Sequence, residues 1–382
     1  MNTRFGFVST FPPTQCGLAT FTSSLRDALI ARDGDEGVVV RLVDTPEPRP
    51  SSAVIAQIAM DDGAGLHCGV ARLNDCDVVI VQHEYGVYGG RDGEDILPLL
   101  DGLCVPCIVV LHTVLLSPTR HQREVLEAVV AKADAIVTMT MTGRDRLAAG
   151  YDVDIRKVSI IAHGAPSVPP ASARTAPVFR SSRPIVLTWG LLGPGKGIEW
   201  GIDAMAQLRD LEATYIVAGQ THPKVLLREG EAYRTALQER ARGLGLGATV
   251  SFDGQYRDPD ALAALVQSAD VVLLPYDSLD QVTSGVLIEA VAAGKPVVAT
   301  RFPHALELLG ASDGDGDGVG ILVTHRSPDD IAAALRTLIT RGDLAARMAQ
   351  AAAAKAPRLL WPAVAEQYRA LAAKLIEAGI AA

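Results

Sequence analysis

Apolar positions along the chain fall into short unbroken runs, separated by stretches with helical spacing. Ten runs read as strands: Asp77–Gln82, Cys107–His112, Ala135–Thr140, Val158–Ala162, Pro184–Trp189, Thr214–Ala218, Thr249–Phe252, Val271–Pro275, Pro296–Thr300 and Gly320–Val323. Most are continuous rather than alternating, the pattern of parallel strands buried on both faces. Between them, Arg120–Lys132, Gly197–Arg209, Arg228–Leu244 and Pro328–Thr340 are amphipathic with helical period. Strand–helix alternation over the whole length predicts an α/β chain of doubly wound sheets.

The alternation lapses once. Residues 166–177 are rich in Pro, Ala and Ser and carry neither period, which reads as a linker. The pattern restarts at Pro184. The expected organisation is a Rossmann-like domain over 1–167, a linker over 168–183, a second Rossmann-like domain over 184–358 and a C-terminal helix over 359–382. That helix places Trp361, Val364, Tyr368, Leu371 and Leu375 near one face, and Pro362 suits its first turn.

Composition narrows the function classes. The chain has 382 residues, 48% of them hydrophobic, which excludes disorder. Its formal net charge is −9, so the basic footprint of a general nucleic-acid binder is missing. No apolar run reaches the ~18 residues of a membrane span, and the start lacks a signal-peptide core. Five cysteines, an odd number, read as reduced thiols in a cytoplasmic protein.

The strongest chemical constellation runs from Asp280 to Val298. A strand ends in a polar loop, Thr283-Ser284-Gly285 opens a helix, and Gly294 closes it before Pro296. Free N–H groups and the positive end of a helix dipole suit an anion, most often phosphate. Glu289, one to two turns inside, could grip ribose hydroxyls; an ordinary capped helix with a surface Glu fits the same residues. The second feature is Trp189-Gly-Leu-Leu-Gly-Pro-Gly-Lys-Gly197. Its Gly190-x4-Gly195-Lys196 spacing follows a Walker A loop up to the last position, where Gly197 replaces the Mg²⁺-holding Ser or Thr. What remains is a Gly-rich loop with a lysine, suited to a diphosphate, or a solvated Lys on a turn. A third loop, Phe11 to Phe21, enters a helix over Ala19–Ala31 through Gly17, or is a plain βα turn.

Three histidines stand at strand ends: His83, followed by Glu84; His112, followed by Thr113; and His163, followed by Gly164. In doubly wound sheets that edge faces the ligand, and a satisfied core or surface histidine fits each position as well. Their spacing is not that of zinc ligands. Two further signals carry nothing. Asp313 to Gly318 departs from a Ca²⁺ loop at the positions of its Ile and Glu. Cys104-Val-Pro-Cys107 runs into a strand where a redox motif needs a helix. A nicotinamide fingerprint is missing after the first strand, which leads into Pro12-Pro13.

Taken together, these motifs resemble the retaining glycosyltransferases of family 4, of GT-B fold, over nearly the whole chain. Gly17 matches the early glycine and His112 the histidine that faces the donor sugar. Ile160-Ile-Ala-His-Gly-Ala-Pro166 matches the end of the first domain. Gly190, Lys196 and Gly197 match the opening of the second. Glu289, Ala290, Gly294, Pro296 and Val297 match the signature segment, and Trp361 the helix that crosses back. Two positions depart: the family's first Glu falls on Gln281, and its Arg falls on Leu191. Gln281 can still bond a sugar hydroxyl but brings no charge, and Lys196 is left as the main side-chain cation.

The resemblance implies two Rossmann-like domains facing a central crevice and closing about the linker. It implies retaining transfer of a hexose, mannose rather than glucose, from a GDP- or UDP-linked sugar to a sugar or glycoconjugate, without cofactor or metal. Donor contacts fall on Gly17, Gly190, Lys196, Gln255, Tyr256, Thr283, Ser284, Gly285, Val286 and Glu289, with His112 and Gln281 orienting the sugar. His222 and Lys224 are further cations within reach. Acceptor contacts fall on His83, Glu84 and Tyr85. No nucleic acid or integral membrane contact is expected. The rivals are a nucleotide-sugar binder without transfer, a GT-B epimerase and a P-loop NTPase; the last lacks its Ser or Thr at 197.

Overall fold

A computed structural model describes residues 2–45, 48, 51–59, 62–167, 183–310 and 318–380. The expected linker, apart from Arg183, and the acidic turn at 313–317 lie outside the described residues. The chain divides into two compact units, Met1–Gly164 with Trp361–Ala382, and Ala165–Leu360.

The first unit is built on seven parallel strands: β1 (Arg4–Ser9), β2 (Glu36–Val43), β3 (Val54–Ala59), β4 (Val78–His83), β5 (Cys107–Leu111), β6 (Ala135–Thr138) and β7 (Val158–Ile160). Their order is β3-β2-β1-β4-β5-β6-β7. Every residue of β4, β5 and β6 is buried, which is why these runs are apolar without alternation. Alternate residues face two cores. Phe5, Phe7, Ile80 and Val110 pack beneath α1 (Gly17–Leu29) and the C-terminal helix α14 (Trp361–Ile380). Val8, Val81, Val109 and Leu111 pack with α4 (Arg120–Lys132) on the other face. Thr119 and Gln122 form a reciprocal capping box that fixes the start of α4.

The C-terminal helix is held in the first unit by buried Trp361, Val364 and Tyr368. Arg369 bonds the Leu29 carbonyl at 2.7 Å and pairs with Asp35. A methyl group on Gly164 would overlap the Trp361 ring, so that residue must be small.

The second unit carries six parallel strands, β8 (Ile185–Trp189), β9 (Thr214–Ala218), β10 (Val250–Asp253), β11 (Val271–Leu274), β12 (Val297–Thr300) and β13 (Gly320–Val323). Their order is β10-β9-β8-β11-β12-β13. Helices α6 (Ile198–Met205) and α12 (Pro328–Thr340) bury Ile198, Ile202, Ile331 and Leu335 in its core. The stretch expected as one helix over 228–244 is two, α7 (Pro223–Glu229) and α8 (Ala232–Gly243). Gly230, at φ +60°, turns the chain between them. Each sheet reverses its winding once, between β1 and β4 and between β8 and β11. The loops leaving such a switch point are where doubly wound sheets bind ligands.

Candidate donor site and the histidine edge of the first sheet

In the second unit the switch point is framed by the loop after β8 and the segment after β11. Trp189 ends β8 and is buried, so its indole N–H needs a partner. It donates to Glu289 Oε2 at 3.2 Å. That bond ties the glycine loop to the helix α10 (Gly285–Ala292), a hundred residues on. Gly190, at φ +121°, lets the loop approach this helix: a Cβ there would lie 3.5 Å from Val286. Val286 and Glu289 of α10 therefore lie against the start of the glycine loop. Burial pushes the Glu289 carboxyl up to about 7, and the indole N–H pulls the other way.

The start of α10 can be accounted for amide by amide. Ser284 is its N-cap, and its Oγ accepts from Leu287 N at 3.2 Å. The Ser284 N–H donates to His304 Nδ1 at 2.8 Å, so it is not available to a ligand, contrary to the expectation from sequence. The amides of Gly285 and Val286 have no partner among the described residues. Gln281 donates from Nε2 to the Thr283 carbonyl at 3.2 Å, an arrangement that a carboxylate could not make.

Lys196 lies on the other side of the switch point. Its Nζ sits 4.4 Å from the centre of the Tyr276 ring. Among the described residues no carboxylate pairs with it. His222 ends the neighbouring strand loop, with Nδ1 accepting from Lys224 N at 3.1 Å. Partial burial and then the charges of Lys224, Lys196 and Arg228 hold its imidazole below the usual range. The C-terminal edge of this sheet is thus a cationic place. Gln255 and Tyr256 follow β10; the Gln255 amide bonds Asp253 Oδ1 at 3.0 Å, and Tyr256 is exposed.

Gly197 decides against the NTPase reading on steric grounds. It lies at φ +63°, and a Cβ would overlap the Pro275 carbonyl. Gly197→Ser completes the Walker pattern on paper. It is expected to cost roughly 3 kcal/mol or more, read as a fall in Tm. Unchanged Tm with Mg²⁺-dependent ATP hydrolysis would refute this.

In the first unit the histidine edge is a neutral cluster in which His83 is fully buried and His112 and His163 partly so. His112 Nε2 bonds Gln82 Oε1 at 2.7 Å, and His163 Nδ1 donates to the Gly164 carbonyl at 2.7 Å. Phe21 of α1 meets both imidazoles and Trp361 edge-on, at 4.8, 5.0 and 5.1 Å. Burial, with some repulsion from His163 and His83, holds His112 down at about 3; burial holds His83 and His163 down at about 4. His83 corrects the sequence expectation: it is fully buried with neither ring nitrogen partnered, and presents no surface to an acceptor. Glu84 accepts from Thr113 Oγ1 at 2.5 Å and Tyr85 N at 3.0 Å. Gly17 opens α1, capped by Cys16 Sγ, and a Cβ on it would meet nothing within 4 Å.

Sequence reasoning missed Trp189, Tyr276 and His304. Each acts through a partner distant in sequence, and only Trp189 stood next to a recognised motif. Among the described residues no cluster of His, Cys, Asp or Glu could hold a metal ion, and no helix is long and apolar enough to cross a membrane.

The two parallel α/β sheets with their helices have the GT-B fold. Over residues 172–355, nearly all of the second unit, the chain matches the family model of glycosyl transferases group 1. It is 28% identical over 283 residues to D-inositol 3-phosphate glycosyltransferase of Corynebacterium kroppenstedtii, a match covering 67% of this chain and 59% of the relative. The chain spans little more than half the length of the curated relatives it matches. Sucrose-phosphate synthase from Thermosynechococcus elongatus shares the fold at a TM-score of 0.78 and 20% identity, over 99% of this chain and 100% of that one. The Anabaena protein HepE, solved with UDP and glucose, does so at 0.73 and 18%, over 98% and 100%.

Proposed function

We propose that the chain is a glycosyltransferase that moves a hexose from a nucleotide-diphospho-sugar to a carbohydrate or glycoconjugate acceptor. The observation that carries this is the joining of the glycine loop to the start of α10 by the Trp189–Glu289 bond, beside an unneutralised lysine. A diphosphate in that place meets Lys196 and the amides of Gly285 and Val286. In this reading Glu289 accepts from the ribose hydroxyls, and the loop at Gln255 and Tyr256 takes the base. The transferred bond is the one between the anomeric carbon and the β-phosphate oxygen. As it breaks, charge grows on that oxygen, and preorganised donors stabilise it there.

In this reading the departing phosphate oxygen takes the acceptor's proton on the face where the new bond forms. The anomeric configuration is retained, and neither a protein nucleophile nor a metal is required. The resemblance assigns His112 and Gln281 to orienting the sugar. His112, held neutral, is suited to hydrogen bonding rather than to charge. Glu84 and Tyr85 remain the acceptor-side candidates. HepE was solved with UDP-glucose, which sets UDP-glucose beside GDP-mannose as the donors to test. The relatives' name adds inositol 3-phosphate to the acceptors to test.

The experiment is a thermal-shift panel with GDP, UDP, ADP and their mannose and glucose conjugates, each with and without EDTA. A ligand that binds only the folded state raises Tm with its affinity. Selective stabilisation by one nucleotide-sugar, unchanged by EDTA, is expected, followed by a retained anomer in the product by NMR. Binding without transfer to any acceptor would leave a nucleotide-sugar binder. Conversion of the donor alone would indicate an epimerase. Stabilisation by ATP–Mg²⁺ alone would overturn the reading.

A further inference from the structure

Lys196 is held without a carboxylate, and the structure shows what holds it. The Gly195–Gly197 turn is pressed onto the segment that leaves β11. Asp277 N bonds the Gly195 carbonyl at 2.9 Å, and Gly197 lies against the Pro275 carbonyl. Tyr276 lies between those two contacts, so its ring comes under the Lys196 ammonium at 4.4 Å. The ring is fully buried and stacks on Phe302 at 5.1 Å, with 30° between the planes. Its carbonyl accepts from Thr300 Oγ1 at 2.6 Å and His325 Nδ1 at 2.9 Å. Backbone and ring are therefore both fixed, while the phenol hydroxyl is buried with no hydrogen-bond partner. A buried tyrosine whose hydroxyl does nothing is there for its face.

We infer that Tyr276 is the positioning residue for Lys196: its π face aims the ammonium at the diphosphate without neutralising it. The inference rests on the donor-site reading above. A carboxylate in the same place would orient the lysine equally well. It would also cancel the charge that the leaving group needs and would repel the diphosphate. An aromatic quadrupole attracts a cation while adding no net charge. The nearby carboxylate of Asp277 is turned to other work, accepting from Trp200 Nε1 at 3.0 Å and pairing with Arg326 at 3.4 Å.

The test is a double-substitution cycle on the full chain, read as the affinity for UDP and for GDP. Tyr276→Leu is expected to weaken the better-bound nucleotide about 5- to 10-fold, the range of a partly desolvated cation–π contact. Tyr276→Phe, which keeps the face, is expected to rescue affinity and to melt no lower than the natural chain, because the hydroxyl it removes is unsatisfied. In a Lys196→Ala background, Tyr276→Leu should change affinity less than twofold. Equal losses in both backgrounds, or no rescue by Phe, would overturn the inference. Should the Leu variant not fold, the natural chain still decides: Lys196 ε-methylene protons on a ring face carry an upfield NMR shift, and its absence overturns the inference. If neither nucleotide binds the natural chain, the donor-site reading fails and the inference goes with it. If one binds and the cycle is additive, the inference alone fails.

Discussion

Lys196→Ala is expected to lower kcat/KM for the proposed transfer by about a hundred- to a thousandfold, with kcat falling more than donor affinity. The size follows from what is left at the diphosphate. With Leu191 standing where the family resemblance expects an arginine, Lys196 is the side-chain cation of the glycine loop. Two backbone amides, of Gly285 and Val286, then remain to meet the developing charge. Amide dipoles act on the growing charge too, but each carries only a partial charge. A lysine adds a full charge that matters most when the oxygen carries its own. Stability should barely move, because the side chain is only half-buried and its one aromatic contact is worth on the order of 1 kcal/mol. Lys196→Arg is not expected to restore the rate, since a planar guanidinium stacks on Tyr276 instead of standing over it. Initial rates at saturating and limiting donor, beside a melting curve, check both halves. A rate within a few fold of the natural chain would remove Lys196 from the chemistry.

The contrast between what could and could not be read in advance has physical causes. All ten expected strands form, with ends shifted by a residue or two, because a strand buried on both faces must be apolar throughout. The edge strand β3 and its neighbour β2 escaped that pattern. Arg41 interrupts β2, yet it is fully buried: its guanidinium bonds the Phe11 carbonyl at 3.0 Å and Thr14 Oγ1 at 2.8 Å. It is a brace beneath the loop that leads to Gly17. The helix expected over 228–244 failed for a local reason, a single glycine in a left-handed turn.

Gly190, Lys196 and the segment from Thr283 to Glu289 lie on the connections that leave β8 and β11, because their spacing encodes loops at strand ends, whereas Gln255 and Tyr256 follow the edge strand β10. The partners that fix them were invisible. Trp189 and Glu289 are apart in sequence and adjacent only once β8 and β11 pair. His304 takes the Ser284 amide from the next strand's connection, a choice no local motif records. His83 shows the opposite error: position at a strand end marked it as a ligand contact, whereas alternation turns it into the core.

The histidines also set the second large effect, an acid lability of the first unit. His83, His112 and His163 have folded pKa values near 4, 3 and 4, below the ordinary 6.5 that the unfolded chain regains. Depressed values in a base mean that the folded state prefers the neutral ring. Their contribution is therefore complete above about pH 6.5 and is lost as pH falls toward 4, where the unfolded chain holds up to three more protons. Three protons correspond to a slope of about 4 kcal/mol per pH unit at most. His112 and His163 are partly exposed, which lowers their share. A loss of order 5 kcal/mol between pH 6.5 and 4.5 remains, comparable with the whole stability of many domains. Trp361 is the tryptophan of the first unit and lies 5.6 Å from His163, so its fluorescence follows that unit's unfolding. Denaturant midpoints measured through it should fall steeply over this window. His83→Leu removes a ring whose nitrogens have no partners; it should leave stability at pH 7 unharmed and take about one proton out of the slope. A midpoint independent of pH from 7.5 to 5 would show that the three rings are not held neutral by burial.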